Sequence, residues 1–139
     1  MLESPKYGWS KLSIGDKWSE RVSYLDDVPY MLIDAVESVV RVKRPYAVKF
    51  DAEGFDYIVV FDVFETHIIT ESSYDDGFTY FTFATDIDRL ALELVEDIRR
   101  DIEAWSVWTD YGGMPEEERL ERRADLLAAC DILEKRAKR

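Results

Sequence analysis

A single cysteine, Cys130, occurs among the 139 residues. No intrachain disulfide can form, and the expected compartment is one that keeps thiols reduced, the cytosol. Histidine is as scarce, with His67 alone. One of each cannot assemble the His and Cys ligand sets of the common metal sites. Glycines number 6 and prolines 4. The Gly112-Gly113 pair leads into Met114-Pro115 with no lysine after it, so no phosphate-cradling loop is present. The calcium loop, with alternating Asp or Asn and a distant Glu, is missing as well. No apolar run approaches the ~20 residues that span a bilayer, and no basic stretch followed by an apolar one marks a signal peptide. These absences predict a cytoplasmic chain with no membrane part, no bound metal and no cofactor.

Basic residues are lacking in one region above all. The formal net charge is −12, and it is unevenly placed. Residues 1–50 and 104–139 are close to neutral, whereas residues 51–103 hold 3 Lys and Arg against 15 Asp and Glu. A field of that sign repels nucleic acid and anionic membranes and draws in a basic partner or a cation. Plain solubility is the competing explanation. Strand alternation and a polar helix face can aim these carboxylates outward together, so one contiguous negative face is expected. Hydrophobic residues at 47% and charged residues at 35% give a globular chain, and the length fits one domain over residues 1–139.

What the chain does have is a β-rich centre between Phe50 and Thr85, rich in β-branched and aromatic residues. Before it, Lys17 to Tyr24 alternates and reads as a strand paired through Gly15-Asp16 with Leu12-Ser13-Ile14. Asp26-Asp27-Val28-Pro29 reads as a capped helix start. The helix should fade near Val42, ahead of Arg44-Pro45. Tyr46 to Asp51 is a strand with one apolar face, closed by a turn at Asp51–Gly54. Tyr57 to Phe64 is apolar on both sides, which argues for a central strand or for a second face covered by another element, with Val60 expected to be as buried as Phe61. An open Val60 face on which a partner or second subunit docks is the alternative. Residues 57–71 can form a hairpin or one bent strand. Phe78 to Ala84 is a further strand. Thr85 then caps a helix whose apolar stripe, Ile87 to Trp105, runs to about Trp108. Pro115 opens a last helix, with Leu120, Ala124, Leu127 and Cys130 on its apolar face and Leu126 and Leu133 widening it. The predicted fold is α+β: an antiparallel or mixed sheet of about four to six strands packed with three helices.

No catalytic constellation emerges. His67 sits in a strand or turn near Glu65 and Glu71, where acid–base work would also need a cleft and a substrate within reach. Cys130, mid-helix on an apolar face, reads as an inert buried thiol. Asp26 and Asp27 are explained by capping, and so are Asp86 and Asp88. What remains is a surface. Glu71, Tyr74, Asp75, Asp76, Phe78 and Tyr80 place aromatics beside acids around an Asp-Gly turn, a composition suited to anchoring and orienting a basic protein. Phe78 and Tyr80 packed under a helix is the alternative.

The segments Ser23-Tyr24-Leu25-Asp26-Asp27-Val28-Pro29-Tyr30-Met31-Leu32 and Phe50-Asp51-Ala52-Glu53-Gly54-Phe55-Asp56-Tyr57 resemble a group of small, acidic, uncharacterised bacterial domains. That group is similar to immunity proteins of bacterial toxin systems. The resemblance carries no functional residue over. It implies an acidic protein-binding module that neutralises or scaffolds a basic protein partner without chemistry. A small carboxylate-dependent hydrolase or ligand-binding domain is the alternative, as is a structural subunit that forms a homodimer through its sheet.

Overall fold

The computed structural model describes residues 1–71, 77–110 and 113–139. Among the described residues, two antiparallel sheets and four helices make up the α+β fold expected from the sequence. The smaller sheet is the hairpin of β1 (Trp9–Ile14) and β2 (Trp18–Ser23). The larger holds β3 (Tyr46–Asp51), β4 (Asp56–Phe61), β5 (Glu65–Glu71) and β6 (Phe78–Ala84) in simple sequence order. The helices are α1 (Val28–Val42), α2 (Ile87–Arg100), α3 (Ile102–Ser106) and α4 (Glu116–Ala137).

The two faces of the larger sheet have different fates. Val48, Phe50, Tyr57, Val59, Phe61, Thr66 and Ile68 are all buried on the inner face, where α1 packs against β3 and β4. The alternate residues Ile58, Val60, His67 and Ile69 are only half-buried on the outer face. β4 is thus a central strand, as its two apolar sides argue, while the expectation that Val60 is as buried as Phe61 is overturned. Val60 belongs to an open face, while Phe61 is fully enclosed. Apolar residues on both sides of a central strand arise here from burial on one side and cross-strand packing on the other.

Residues 57–71 form a hairpin. Its turn lies at residues 62–64. Asp62 supplies the turn chemistry that glycine does not. Its carboxylate accepts from the Val63 N–H at 2.8 Å, and its own N–H donates to the Glu65 carbonyl at 3.0 Å. Between β3 and β4, Glu53 and Gly54 both take positive φ, 55° and 138°, a geometry that glycine adopts without cost.

Three helix expectations are corrected. Asp27 makes no side-chain cap to α1; its carboxylate instead pairs with Arg122 of α4 at 3.1 Å. Asp26 accepts from the Asp51 N–H at 2.7 Å and so ties the start of α1 to β3. The cap of α2 is Asp86, whose side chain accepts from the Asp88 and Arg89 amides. Thr85 bonds across to the Thr66 hydroxyl at 2.8 Å. The stripe running toward Trp108 is not one helix, because the chain turns at Asp101, re-enters as α3 and ends in a 3-10 turn at Trp108–Asp110. That bend drives Trp105 and Trp108 into the core with ring centroids 4.9 Å apart.

On α4 the buried face is Leu126, Cys130, Leu133 and Ala137, whereas Leu120 and Ala124 are exposed. The first half of α4 is held by arginines. Arg119 and Arg123 both meet Glu103 at 2.7 Å, and Arg122 also donates to the Ser106 carbonyl at 3.2 Å. Burial pushes the Cys130 thiol up to about 11, where thiolate is scarce at neutral pH.

Candidate functional site

The antiparallel register sorts the outer face of the larger sheet into rows. Ala47, Val60, His67 and Thr82 lie side by side, followed by Lys49, Ile58, Ile69 and Tyr80, and then Glu71 opposite Phe78. Three of the six residues proposed from the sequence come together here. Glu71 is exposed and directly across from Phe78, and Tyr80 lies one row on along the same face. Phe78 is 69% and Tyr80 56% exposed, so neither packs under a helix. Tyr74, Asp75 and Asp76 lie outside the described residues.

The sequence reading passed over several neighbours on this surface. The Tyr80 hydroxyl is hydrogen-bonded to His67 Nδ1, and His67 Nε2 lies 3.7 Å from a Glu65 carboxylate oxygen. The Tyr80 and His67 rings sit 5.8 Å apart and tilted by 30°. This line holds the Tyr80 ring in place over Ile69, so the aromatic is positioned before any partner arrives. Strand alternation alone puts Glu65, His67, Ile69 and Glu71 on one side of β5, and that periodicity was the available signal.

The expected single acidic face over residues 51–103 does not form. Asp97 is ion-paired with the Met1 ammonium and with Arg100, Asp101 with Arg100, and Glu103 with Arg119 and Arg123. Basic groups from both ends of the chain thus interleave with the carboxylates of α2 and α3. The carboxylates of β5 differ. Glu65 has His67 beside it, and neither Glu65 nor Glu71 enters an ion pair with a described Lys or Arg. Uncompensated negative charge is thereby left next to exposed aromatics.

A second group of acids lies at the junction of the two sheets. Desolvation holds the Asp26 carboxyl above its ordinary range, with Asp51 and Asp56 adding repulsion against the bond from the Asp51 amide. Nearby, the Tyr57 hydroxyl donates to the Arg21 carbonyl at 2.8 Å, and burial raises that phenol strongly. Arg21 straps the junction from outside. Its Nε donates to the Ala52 carbonyl at 2.7 Å, and its guanidinium lies 5.7 Å from the Trp9 ring centroid and 5.2 Å from that of Phe55.

A raised carboxyl pKa means that ionised Asp26 costs stability. The cost is absent below the unfolded value of 3.8 and complete once pH exceeds the raised folded value. Asp26→Asn keeps an acceptor for the Asp51 amide and removes the charge. Thermal melting should therefore show the variant more stable than wild type at pH 7, with the gap closing toward pH 3.5. An equal or lower melting point at pH 7 would show that the ionised form is required.

Among the described residues, no three His, Cys, Asp or Glu side chains are grouped to hold a metal ion. No described helix is long and apolar enough to cross a membrane. A groove of about 670 Å³ lies at the Ala84 end of β6, lined also by Gly15, Asp16, Thr85, Asp86, Arg89 and Leu90. Its helix-end amides are already bonded to the Asp86 carboxylate. Comparison with known proteins finds no matching family, no matching curated protein and no matching solved structure.

Proposed function

We propose that this chain is an acidic protein-binding module that neutralises or scaffolds a basic protein partner, in the manner of an immunity protein. The observation that carries the reading is the outer face of β5 and β6. There Phe78 and Tyr80 stand exposed beside Glu71, with Glu65 and His67 holding Tyr80 in place. Exposed aromatics supply area that gains on desolvation, and the adjoining carboxylates steer and orient a cationic surface. Ile58, Val60 and Ile69 form an apolar floor behind them. The partner's class is set by charge, because an anionic surface would meet Glu65, Glu71 and a net charge of −12.

The test is differential capture. Wild-type protein and the Glu65→Lys/Glu71→Lys variant, both immobilised, are exposed to the same mixture of cellular proteins at about 0.15 M salt. The reading expects a basic protein on the wild type that is lost from the variant and weakened by added salt. Equal capture by both proteins contradicts it.

A further inference from the structure

The strand β6 has an edge that lacks the protections usual for an exposed strand. It pairs with β5 on one side, and no described strand pairs with the other. Its seven residues, Phe-Thr-Tyr-Phe-Thr-Phe-Ala, contain no charge, proline or glycine. All seven register with β5 as consecutive pairs, Glu65↔Ala84 through Glu71↔Phe78, without a bulge. Soluble proteins usually blunt such edges with lysine, proline, bulges or a covering element, because a straight, unpaired edge is a template for another strand. The opposite edge of the same sheet shows the contrast. There β3 carries Lys49, and the Arg21 strap crosses its end to the Ala52 carbonyl.

The inner side of β6 is open at Phe81, while Phe83 packs against the core. Phe81 is 46% exposed, and Phe83, half-buried, packs beside it at 5.4 Å. The edge therefore offers two chemically distinct sides. Outward lie Phe78 and Tyr80 with the Glu71 carboxylate directly across from Phe78, and inward lie Phe81 and Phe83.

We infer that β6 receives an extended segment of the partner as a fifth strand, one in which basic residues alternate with apolar residues. Strand periodicity sends alternate side chains to opposite faces. The basic set then lies over Phe78 and Tyr80 within reach of Glu71 and Glu65, and the apolar set covers Phe81 and Phe83. A guanidinium or ammonium on the Phe78 ring gains from the ring face and from the carboxylate behind it. Main-chain hydrogen bonds along β6 supply affinity that does not depend on sequence, as in other strand additions. A second copy of β6 would also match the edge. It would, however, bring a second chain of net charge −12 against the first, and it has no cation for Glu65 or Glu71. Charge decides for the basic strand.

This inference rests on the proposed binding of a basic protein, and its test separates the two. The probes are three synthetic heptapeptides of identical composition. One is Lys-Val-Arg-Val-Lys-Val-Arg, one has the same sequence with its three central residues N-methylated, and one has the valines and cations in separate blocks. Binding to the full chain is read by fluorescence anisotropy, with amide hydrogen exchange over residues 78–84 as the structural readout. The alternating peptide should bind, slow exchange in β6 and exceed both others by about tenfold or more in affinity. Equal binding by all three, lost on Glu65→Lys/Glu71→Lys, overturns strand addition while leaving the basic-partner reading in place. No binding by any peptide, together with a dimeric mass that falls to monomer on Phe81→Lys, overturns both and assigns the edge to a second copy.

Discussion

Phe61→Ala lowers the unfolding free energy by about 3–5 kcal/mol, while Val60→Asp, one residue away, leaves a folded protein. Phe61 is fully buried on the inner face of β4, in line with Tyr46, Thr66 and Phe83 across the sheet. Removing the ring leaves a cavity that packed neighbours cannot close. Val60 points the other way, half-buried between Ala47 and His67. A carboxylate there keeps access to water and gains an imidazole neighbour, so the cost is about 1–2 kcal/mol. Chemical unfolding of the two variants checks the contrast, and a Val60→Asp protein that fails to fold would mean that the outer face is covered.

The second large effect falls on Trp108. Its ring is buried against Trp105, and its indole N–H donates to the Asp26 carbonyl at 2.8 Å, joining the 3-10 turn to the start of α1. Trp108→Ala is expected to cost about 3–5 kcal/mol through the lost volume. Trp108→Phe keeps much of the ring area but removes one of two donors to the Asp26 carbonyl, which the Val28 N–H also meets at 2.9 Å, so about 0.5–1.5 kcal/mol should be lost. The ordering of wild type, Phe and then Ala in unfolding midpoint is the check. A Phe variant as stable as wild type would show that the hydrogen bond contributes nothing.

These two sites also show where the sequence was legible. Alternation along Tyr57–Phe61 identified which residues share a face, and a helical apolar stripe located Ile87 to Trp105. Periodicity does not say which face a helix covers, however, because that depends on where α1 lands after the chain folds back. The inner face took α1, and the outer face with Val60 stayed open. The break at Asp101 was equally hidden. Its carboxylate is bound by Ser4 and Arg100, and the former is a contact across most of the chain's length. Long-range partners also displaced the local capping roles of Asp26 and Asp27, since Asp51 and Arg122 are far away in sequence. On α4 the helix was legible from its charged ends and its buried face in part, since Leu126, Cys130 and Leu133 are buried whereas Leu120 and Ala124 are not. Arg119, Arg122 and Arg123 fix the first half in an orientation that leaves Leu120 outside.

The candidate site was half visible for the same reason. Aromatics beside acids pointed to Glu71, Phe78 and Tyr80 from composition alone. The roles of His67 and Glu65 emerge only once β5 and β6 are in register, with His67 opposite Thr82 and Ile69 opposite Tyr80. Charge counting overstated the acidic field, because Asp97 of α2 and Glu103 of α3 are matched by cations from the two ends of the chain.

The most direct measurement uses a photo-reactive phenylalanine analogue placed at Tyr80, on the outer face, and at Ile132, an exposed position on α4. Each protein is irradiated among cellular proteins, and the adducts are identified by mass. The account predicts a basic protein joined through position 80, absent from position 132, and lost when Glu65→Lys and Glu71→Lys are added. The same adducts at both positions, or none at position 80, would contradict it.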